Sequence, residues 1–600
     1  MLDQAQMRYF EGNYQACFEL CLKGLEVVDE NLKEKFVELA ALSALKLEIP
    51  QALEFCAQSY HWHKNSYFWT LNLAKALIIQ QNYAEAIKLL NAFMGVENPL
   101  KLEYLHALLR AYKGQNTYNE VENIYAILLK NNPNDLQLWL EFGEYFEFIP
   151  KKALGIYQDC YFFINQKLQA LEKNTPKIEV LQTFAQDSLT ARFNMQKTQK
   201  TLIENPEILN LKNFVNTILT QRIAESYLRI FESPLQEAQK AAQILYSVQD
   251  KNLQNAEFWF IFAHALEYIK DYAQAEQAYR YIFAIPNAPK NIANTAAFHL
   301  AYLLMRQERF KEGLEFYENR LAFAKNTTFS QEYYQIAKNA FLQDSKVFTN
   351  KEIFVYCEQG FGDTLMFSRV FEVLCKIAKK VLFAPQSALY PLFSAKLSKE
   401  NCFANLEILD RIPQDFDFAL PLTSLPLFLG LDTLEKIVTL KTPIISPTNK
   451  RKSRKIKRIG FFWHTDFALK ENNTRNFSLE FFLNFLLELE NVKLVSLQVG
   501  DFVLPECVEN AGVGFKDWLD TYKVMENLDG VVGIDSSPAH LALICGIPTL
   551  VILQPRFDWR FGLYEAPKAK FYGENAHLFV SNPNDFSTKN TIIEKLKSIF

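Results

Sequence analysis

Glycine is scarce in this 600-residue chain, with 19 in all against 51 phenylalanines. Seven glycines fall in residues 1–345 and twelve in residues 346–600, so the first part reads as helical and the second as turn-rich. No run of 18 apolar residues occurs, and no membrane span is expected. Charge of one sign is also missing. The net charge of −4 gives no basic bias for nucleic acid. The nine cysteines are scattered, and only Cys17 and Cys21 lie close, with no partner at a metal-like spacing. They read as reduced core thiols of a cytoplasmic protein. The start, MLDQAQMRYFEGNY, lacks a basic n-region and an apolar h-region, so no signal peptide is expected.

What is present begins with repetition. A helix, a turn on an aromatic or proline, and a small-residue helix start recur at Tyr14, Pro50, Tyr83, Tyr118 and Pro150, spaced by 36, 33, 35 and 32 residues. The unit returns at Pro234, Tyr272 and Phe310, each 38 apart. These spacings bracket the 34-residue period of tetratricopeptide repeats. Residues 160–225 break the register and read as degenerate repeats or an inserted helical pair. Stacked repeats make a continuous core and a concave groove. That groove suits a protein partner, a rigid spacer or a homodimer contact. Aromatic runs such as Phe258-Trp259-Phe260 read as repeat core.

The second half reads as two α/β lobes. Phe354-Val355-Tyr356 is a strand, followed by Glu358-Gln359-Gly360-Phe361-Gly362-Asp363 and a helix, then the strand Val381–Ala384. Gly360 and Gly362 permit close backbone approach to a ligand. Asp363 either caps the helix or faces a cleft as a general base. The linker Lys450–Arg458 is strongly basic and reads as a solvated connection. Ile459–Trp463 is a strand with His464 at its end. Arg475 lies just before a helix that Ser478 caps, and Val492–Gln498 is a further strand.

The most informative stretch is 528–562. The apolar run Val531–Ile534 is a buried strand, Asp535-Ser536-Ser537-Pro538 a tight turn, and a short helix carrying His540 ends at Gly546. Thr549–Leu553 is the next strand. A helix start beyond a strand end offers free N–H groups and a positive dipole end to phosphate. Asp535 suits a sugar or ribose hydroxyl. In the alternative, Asp535 or Ser537 caps the helix and His540 packs.

Four blocks in order carry a resemblance: EQGFGDTLMFSRV (358–370), FDFALPLTSLPLFLG (416–430), TRNFSLEFF (474–482) with VSLQVGD (495–501), and LDGVVGIDSSPAHLALICGIPTLVIL followed by Asp558-Trp559-Arg560. The chain resembles tetratricopeptide-repeat proteins with a C-terminal GT-B glycosyltransferase module. The module is similar to family nine, the heptosyltransferases, and more distantly to family forty-one, the protein O- and N-glycosyltransferases. The resemblance implies a repeat domain over 1–345, an acceptor-side lobe over 350–447 and a nucleotide-sugar lobe over 455–600. It implies that Asp363 is the base on the acceptor, and that Asp535, Ser536, Ser537 and His540 hold the ribose and diphosphate. Arg475 falls at a basic position near the phosphates, and Gly360, Gly362 and Gln498 are counted with the donor site. His464 and Phe477 depart from the pattern, which is usually small and polar at the first and basic at the second. His464 is counted as a second catalytic candidate. No metal and no cofactor are expected beyond a nucleotide-diphosphate sugar as donor substrate. The expected activity is sugar transfer to a protein held by the repeat groove, or to a lipopolysaccharide or other glycan. A non-catalytic scaffold with a degenerate module is the rival reading.

Overall fold

The computed structural model describes residues 1–93, 98–174, 206–230, 234–323, 327–445, 455–465, 475–583 and 585–600. The linker residues Lys450–Arg454, the pair Asn473 and Thr474, and 175–205 of the irregular stretch lie outside them. The chain forms two compact units, Met1–Pro176 and Lys177–Phe600, so the division falls inside the helical region.

The first unit is all helix from Leu2–Phe10 to Pro150–Asn174. The repeat anchors other than Pro50 mark helix starts, as in Tyr14–Leu25, Tyr83–Asn91, Tyr118–Asn131 and Pro150–Asn174. Asn13 caps the helix Tyr14–Leu25 by accepting from the Ala16 amide. Small residues let the helices approach: a Cβ at Gly24 would fall 2.4 Å from the Phe36 ring. Among the described residues, no helix is long and apolar enough to cross a membrane.

The second unit opens with further helix pairs, including Ala256–Tyr268 with Tyr272–Ala284 and Lys290–Arg306 with Phe310–Tyr317. Two parallel sheets follow. The first contains β1 (Glu352–Tyr356), β2 (Lys380–Ala384), β3 (Leu406–Ile408) and β4 (Phe418–Pro421), in the order β3-β2-β1-β4. The second contains β5 (Lys457–Phe461), β6 (Val492–Ser496), β7 (Val508–Asn510), β8 (Gly530–Ile534) and β9 (Thr549–Leu553). The two-residue strands β10 (Gly562–Leu563) and β11 (Ala566–Pro567) pair with each other. The last strand, β12 (Ala576–Val580), joins the second sheet, whose order is β12-β9-β8-β5-β6-β7. Every residue of β8 and β9 is buried, as continuous apolar runs in parallel sheets should be. The architecture is therefore the expected one, an all-α repeat region followed by two Rossmann-type lobes.

Strand order locates the cleft. In the first sheet the chain runs from β1 outward to β3 and then returns to the other side of β1 with β4. In the second it runs from β5 to β7 and returns at β8 on the other side of β5. Ligands of open parallel sheets bind beyond the carboxyl ends of strands at such reversals. The turns after β1, β5 and β8 are therefore the places to look.

Candidate functional site

The turn after β1 leads into the helix Phe361–Phe367, whose N-cap is Gly360. Asp363 lies in its first turn and makes no cap. Its Oδ1 accepts from Arg560 Nη2 at 2.8 Å. The turn after β8 leads into the helix Ser537–Ile544, with Pro538 in its first turn, where the missing N–H costs nothing. Ser536 is the N-cap, and its hydroxyl makes no capping bond. Asp535 is 4% exposed, and neither of its oxygens accepts a hydrogen bond. The capping alternative for Asp535 therefore does not describe this turn.

The two helices pack against each other. A Cβ on Gly362 would lie 2.6 Å from Cδ2 of His540, so the bare glycine is what admits the ring. His540 is buried, with Nε2 3.2 Å from Arg560 Nη1 and Nδ1 against the Tyr572 hydroxyl. A guanidinium only donates, so Nε2 is the acceptor and the ring proton is assigned to Nδ1, facing the Tyr572 oxygen.

Arg560 is the hub. Besides Asp363 and His540 it meets Asp558 Oδ1 at 3.2 Å and Asp535 Oδ1 at 4.0 Å. Burial works against its charge, but Asp558, Asp363 and Asp535 outweigh burial and raise its pKa well above the usual value. Burial likewise works to raise the Asp535 pKa. Arg475 first, with Arg560 behind it, overcomes that and holds it below the usual carboxylate range. Arg475 is different in kind. It lies 3.7 Å from Asp535 and 3.8 Å from Asp558, beyond hydrogen-bond distance, and its side chain is 39% exposed. It is held by charge and open to the cleft. Among the described residues, no three metal-ligating side chains of this site bring their ligand atoms within 4.8 Å of one another.

His464 and Gln498 belong to a neighbouring network after β5. The Gln498 Oε1 accepts from the amides of Trp463 and His464 at 3.2 and 3.0 Å. Asn476 Oδ1 accepts from the Thr465 amide at 2.8 Å, while its Nδ2 lies 3.0 Å from His464 Nε2. Gln554 Nε2 donates to the Asn476 carbonyl at 2.7 Å. These contacts fix Asn476, the residue that follows Arg475. Phe477, where a second basic residue was expected, is buried, with its ring centroid 4.8 Å from that of Phe481. Ser478 does cap the helix Leu479–Leu486, accepting from the Phe481 amide at 3.0 Å.

The repeats of the second unit supply residues that sequence reasoning missed. Tyr302 places its ring centroid 6.3 Å from that of Trp559. Burial first, then Asp558 and Asp363, raise its phenol pKa, which puts the hydroxyl in the field of the same carboxylates. Arg306 donates to the carbonyls of Gly562 at 2.7 Å and Phe557 at 2.9 Å. Arg320 donates to Glu358, two residues before Gly360, at 2.8 Å. Arg369 donates from the first lobe to the Phe571 carbonyl of the second at 2.9 Å. No local sequence signal announces these contacts, because each spans long chain separations. The one available hint was an arginine or tyrosine inside an otherwise apolar repeat helix.

No protein-family model matches the chain, and no curated protein matches it at a significant level. Among solved structures it is similar to a glycosyl transferase of family 9 from Veillonella parvula, at 13% identity over 42% of this chain and 91% of that one, with a TM-score of 0.28. It is similar to a tetratricopeptide repeat protein from Parabacteroides merdae, at 11% identity over 49% and 95%, TM-score 0.27. A mutant O-GlcNAc transferase from Thermobaculum terrenum is similar at 11% identity over 64% and 93%, TM-score 0.20. Likeness at this distance carries no functional argument, which has to come from the site.

Proposed function

We propose that the chain is a glycosyltransferase that moves a sugar from a nucleotide-diphosphate donor to an acceptor hydroxyl or amide, without a metal. The observation that carries this reading is Asp535. A carboxylate 4% exposed, ionised, with both oxygens free of hydrogen bonds, is costly unless a ligand completes it. It sits at the carboxyl end of β8, beside a helix start, where sugar or ribose hydroxyls are suitable donors.

The chemistry follows from the neighbours. A diphosphate at the Ser537–Ile544 helix start meets the Ser536 and Ser537 hydroxyls and the positive dipole end, while the Ala539 and His540 amides already bond to the Ser536 carbonyl. Arg475, bound to its carboxylates by charge alone, turns to the phosphate with a bidentate fork. Asp363 keeps Oδ1 on Arg560 and offers Oδ2 to the acceptor. The acceptor oxygen or nitrogen bonds to the anomeric carbon as its proton passes to Asp363. The bond from that carbon to the phosphate oxygen breaks, and the nucleoside diphosphate leaves with the electron pair, neutralised by Arg475 and the helix. His540 and Arg560 hold this geometry from below.

A cytoplasmic protein acceptor is the favoured one. Phe260, His264, His299 and Tyr302 lie in contact along the repeats and end beside Trp559. A lipopolysaccharide or other glycan is the alternative acceptor. A second reading, a scaffold without turnover, is favoured by two observations: Asp363 is already tied to Arg560, and the two site helices are in direct contact.

The test is a calorimetric panel of nucleoside diphosphates and nucleotide sugars, with Asp535→Ala and Arg475→Ala as controls. At 100 times its dissociation constant a ligand stabilises by about 2.7 kcal/mol, which a thermal shift also reads. One nucleotide that binds the native chain and neither control supports the proposal and names the donor base. Binding without any turnover, indifferent to Asp363→Ala, supports the scaffold.

A further inference from the structure

In the first unit, far along the sequence from the cleft residues, the helix Glu30–Lys46 runs back against the helix Ala52–Trp62. Glu34 and Glu38 stand four residues apart, one turn along the first helix, and so share a face. His63 follows the last turn of the second helix, its backbone amide bonded to the carbonyls of Ser59 and Tyr60. Its ring lies parallel to Trp69 of the next helix, 11° from coplanar with centroids 6.3 Å apart. Both carboxylates converge on one ring nitrogen: Glu38 Oε1 lies 2.8 Å and Glu34 Oε1 3.0 Å from His63 Nε2.

We propose that Glu34, Glu38 and His63 form a site for a divalent first-row transition-metal ion.

Convergence on a single nitrogen is the reason. A ring nitrogen carries at most one proton, and one proton serves one carboxylate well. A charged imidazole meets both carboxylates here only by sharing one proton in a three-centre bond. One cation bound to all three atoms explains the arrangement directly. With ligand bonds of about 2.1 Å, donor atoms at right angles are about 3.0 Å apart and tetrahedral ones about 3.4 Å. The observed 2.8 and 3.0 Å fit right angles. The three ligand atoms lie within 4.8 Å of one another, and the side chains are partly exposed, so water can fill the remaining positions. Two carboxylates and one imidazole suit Mn²⁺, Co²⁺ or Zn²⁺ rather than a thiolate-seeking ion. The ion would close the open end of a helix pair whose other end is joined by the 47–51 turn, and closing a loop stabilises it.

The experiment uses the full chain, stripped with chelator and titrated with Mn²⁺ while the free-ion paramagnetic resonance signal is followed. Mn²⁺ is chosen because exposed thiols such as Cys507 hold it poorly. Cobalt absorption in the visible range then reports the coordination number. The expected result is one saturable site, weakened at least tenfold in His63→Ala and in Glu38→Gln and matched by a metal-dependent rise in Tm in the native chain only. His63→Gln, which keeps a donor for the carboxylates, is included against misfolding and should also lose the site while retaining the native circular dichroism. No saturable binding, or binding unchanged in His63→Ala, would overturn the proposal.

Discussion

The turn after β1 and the turn after β8 are built alike, and they leave their acids in opposite states. Each follows a buried parallel strand at the reversal point of its sheet, and each opens a short helix. Asp363 has one oxygen on Arg560 at 2.8 Å and its side chain is 17% exposed. Asp535 is buried, has no hydrogen bond on either oxygen, and faces Arg475, His540 and Arg560 at 3.5–4.0 Å. The same backbone device thus yields an acid bonded to Arg560 and an acid with neither oxygen in a hydrogen bond. What separates them lies outside the turns, in Arg475, Arg560 and the depth of β8.

Removing Asp535 breaks the comparison most severely. Asp535→Ala leaves Arg560 and His540 buried with one anion fewer, which costs about 3–5 kcal/mol of stability for a broken buried pair. Denaturant unfolding reads the loss, and nucleotide binding should vanish with it. Asp363→Asn keeps the shape and should leave binding near native while lowering turnover by about 10²–10⁴-fold. Steady-state kinetics against binding separates the two. Arg475→Ala should lower turnover by about 10²–10³-fold and lower Tm as well, because it removes the cation that does most to hold buried Asp535 ionised.

Two smaller effects sharpen the picture. His264 and His299 lie 3.0 Å apart, and burial lowers both, His299 to about 4. The folded chain keeps them neutral, whereas the unfolded chain takes up protons near 6.5. Stability therefore falls as pH drops from about 6.5 toward 4 and levels below that, by at most about 3 kcal/mol for His299. Replacing His299 with Gln should remove that part of the slope in unfolding measured at pH 7 and pH 4.5. Asp535, depressed below the carboxylate range, adds its own loss only at the acid end, as pH falls below about 5. Gly362→Ala pushes a methyl to 2.6 Å from the His540 ring and should cost about 1–3 kcal/mol, read as a fall in Tm.

Local patterns were legible in the sequence. Strand β9 runs Thr549–Leu553 as read, and the strand, turn and helix around Asp535 stand as read within a residue or three. The repeat anchors other than Pro50, which lies in the turn before Ala52–Trp62, mark helix starts because an aromatic or proline opens the second helix. Long-range contacts were not legible. Asp558-Trp559-Arg560 gave no clue that its arginine crosses to Asp363, since the partner lies nearly two hundred residues earlier. Tyr302 drew no reading of its own, and only packing of the repeats on the lobe brings it beside Trp559. Phe477 read as a missing cation, whereas its ring is a core strut that a charge at that point would disrupt.

The most direct test of the contrast between the two turns is one calorimetric titration run three times. The nucleoside diphosphate selected from the panel is titrated into the native chain, Asp363→Asn and Asp535→Ala. The account predicts equal affinity within a few-fold for the first two and no detectable binding for the third. Equal binding to all three, or loss in Asp363→Asn alone, would contradict it.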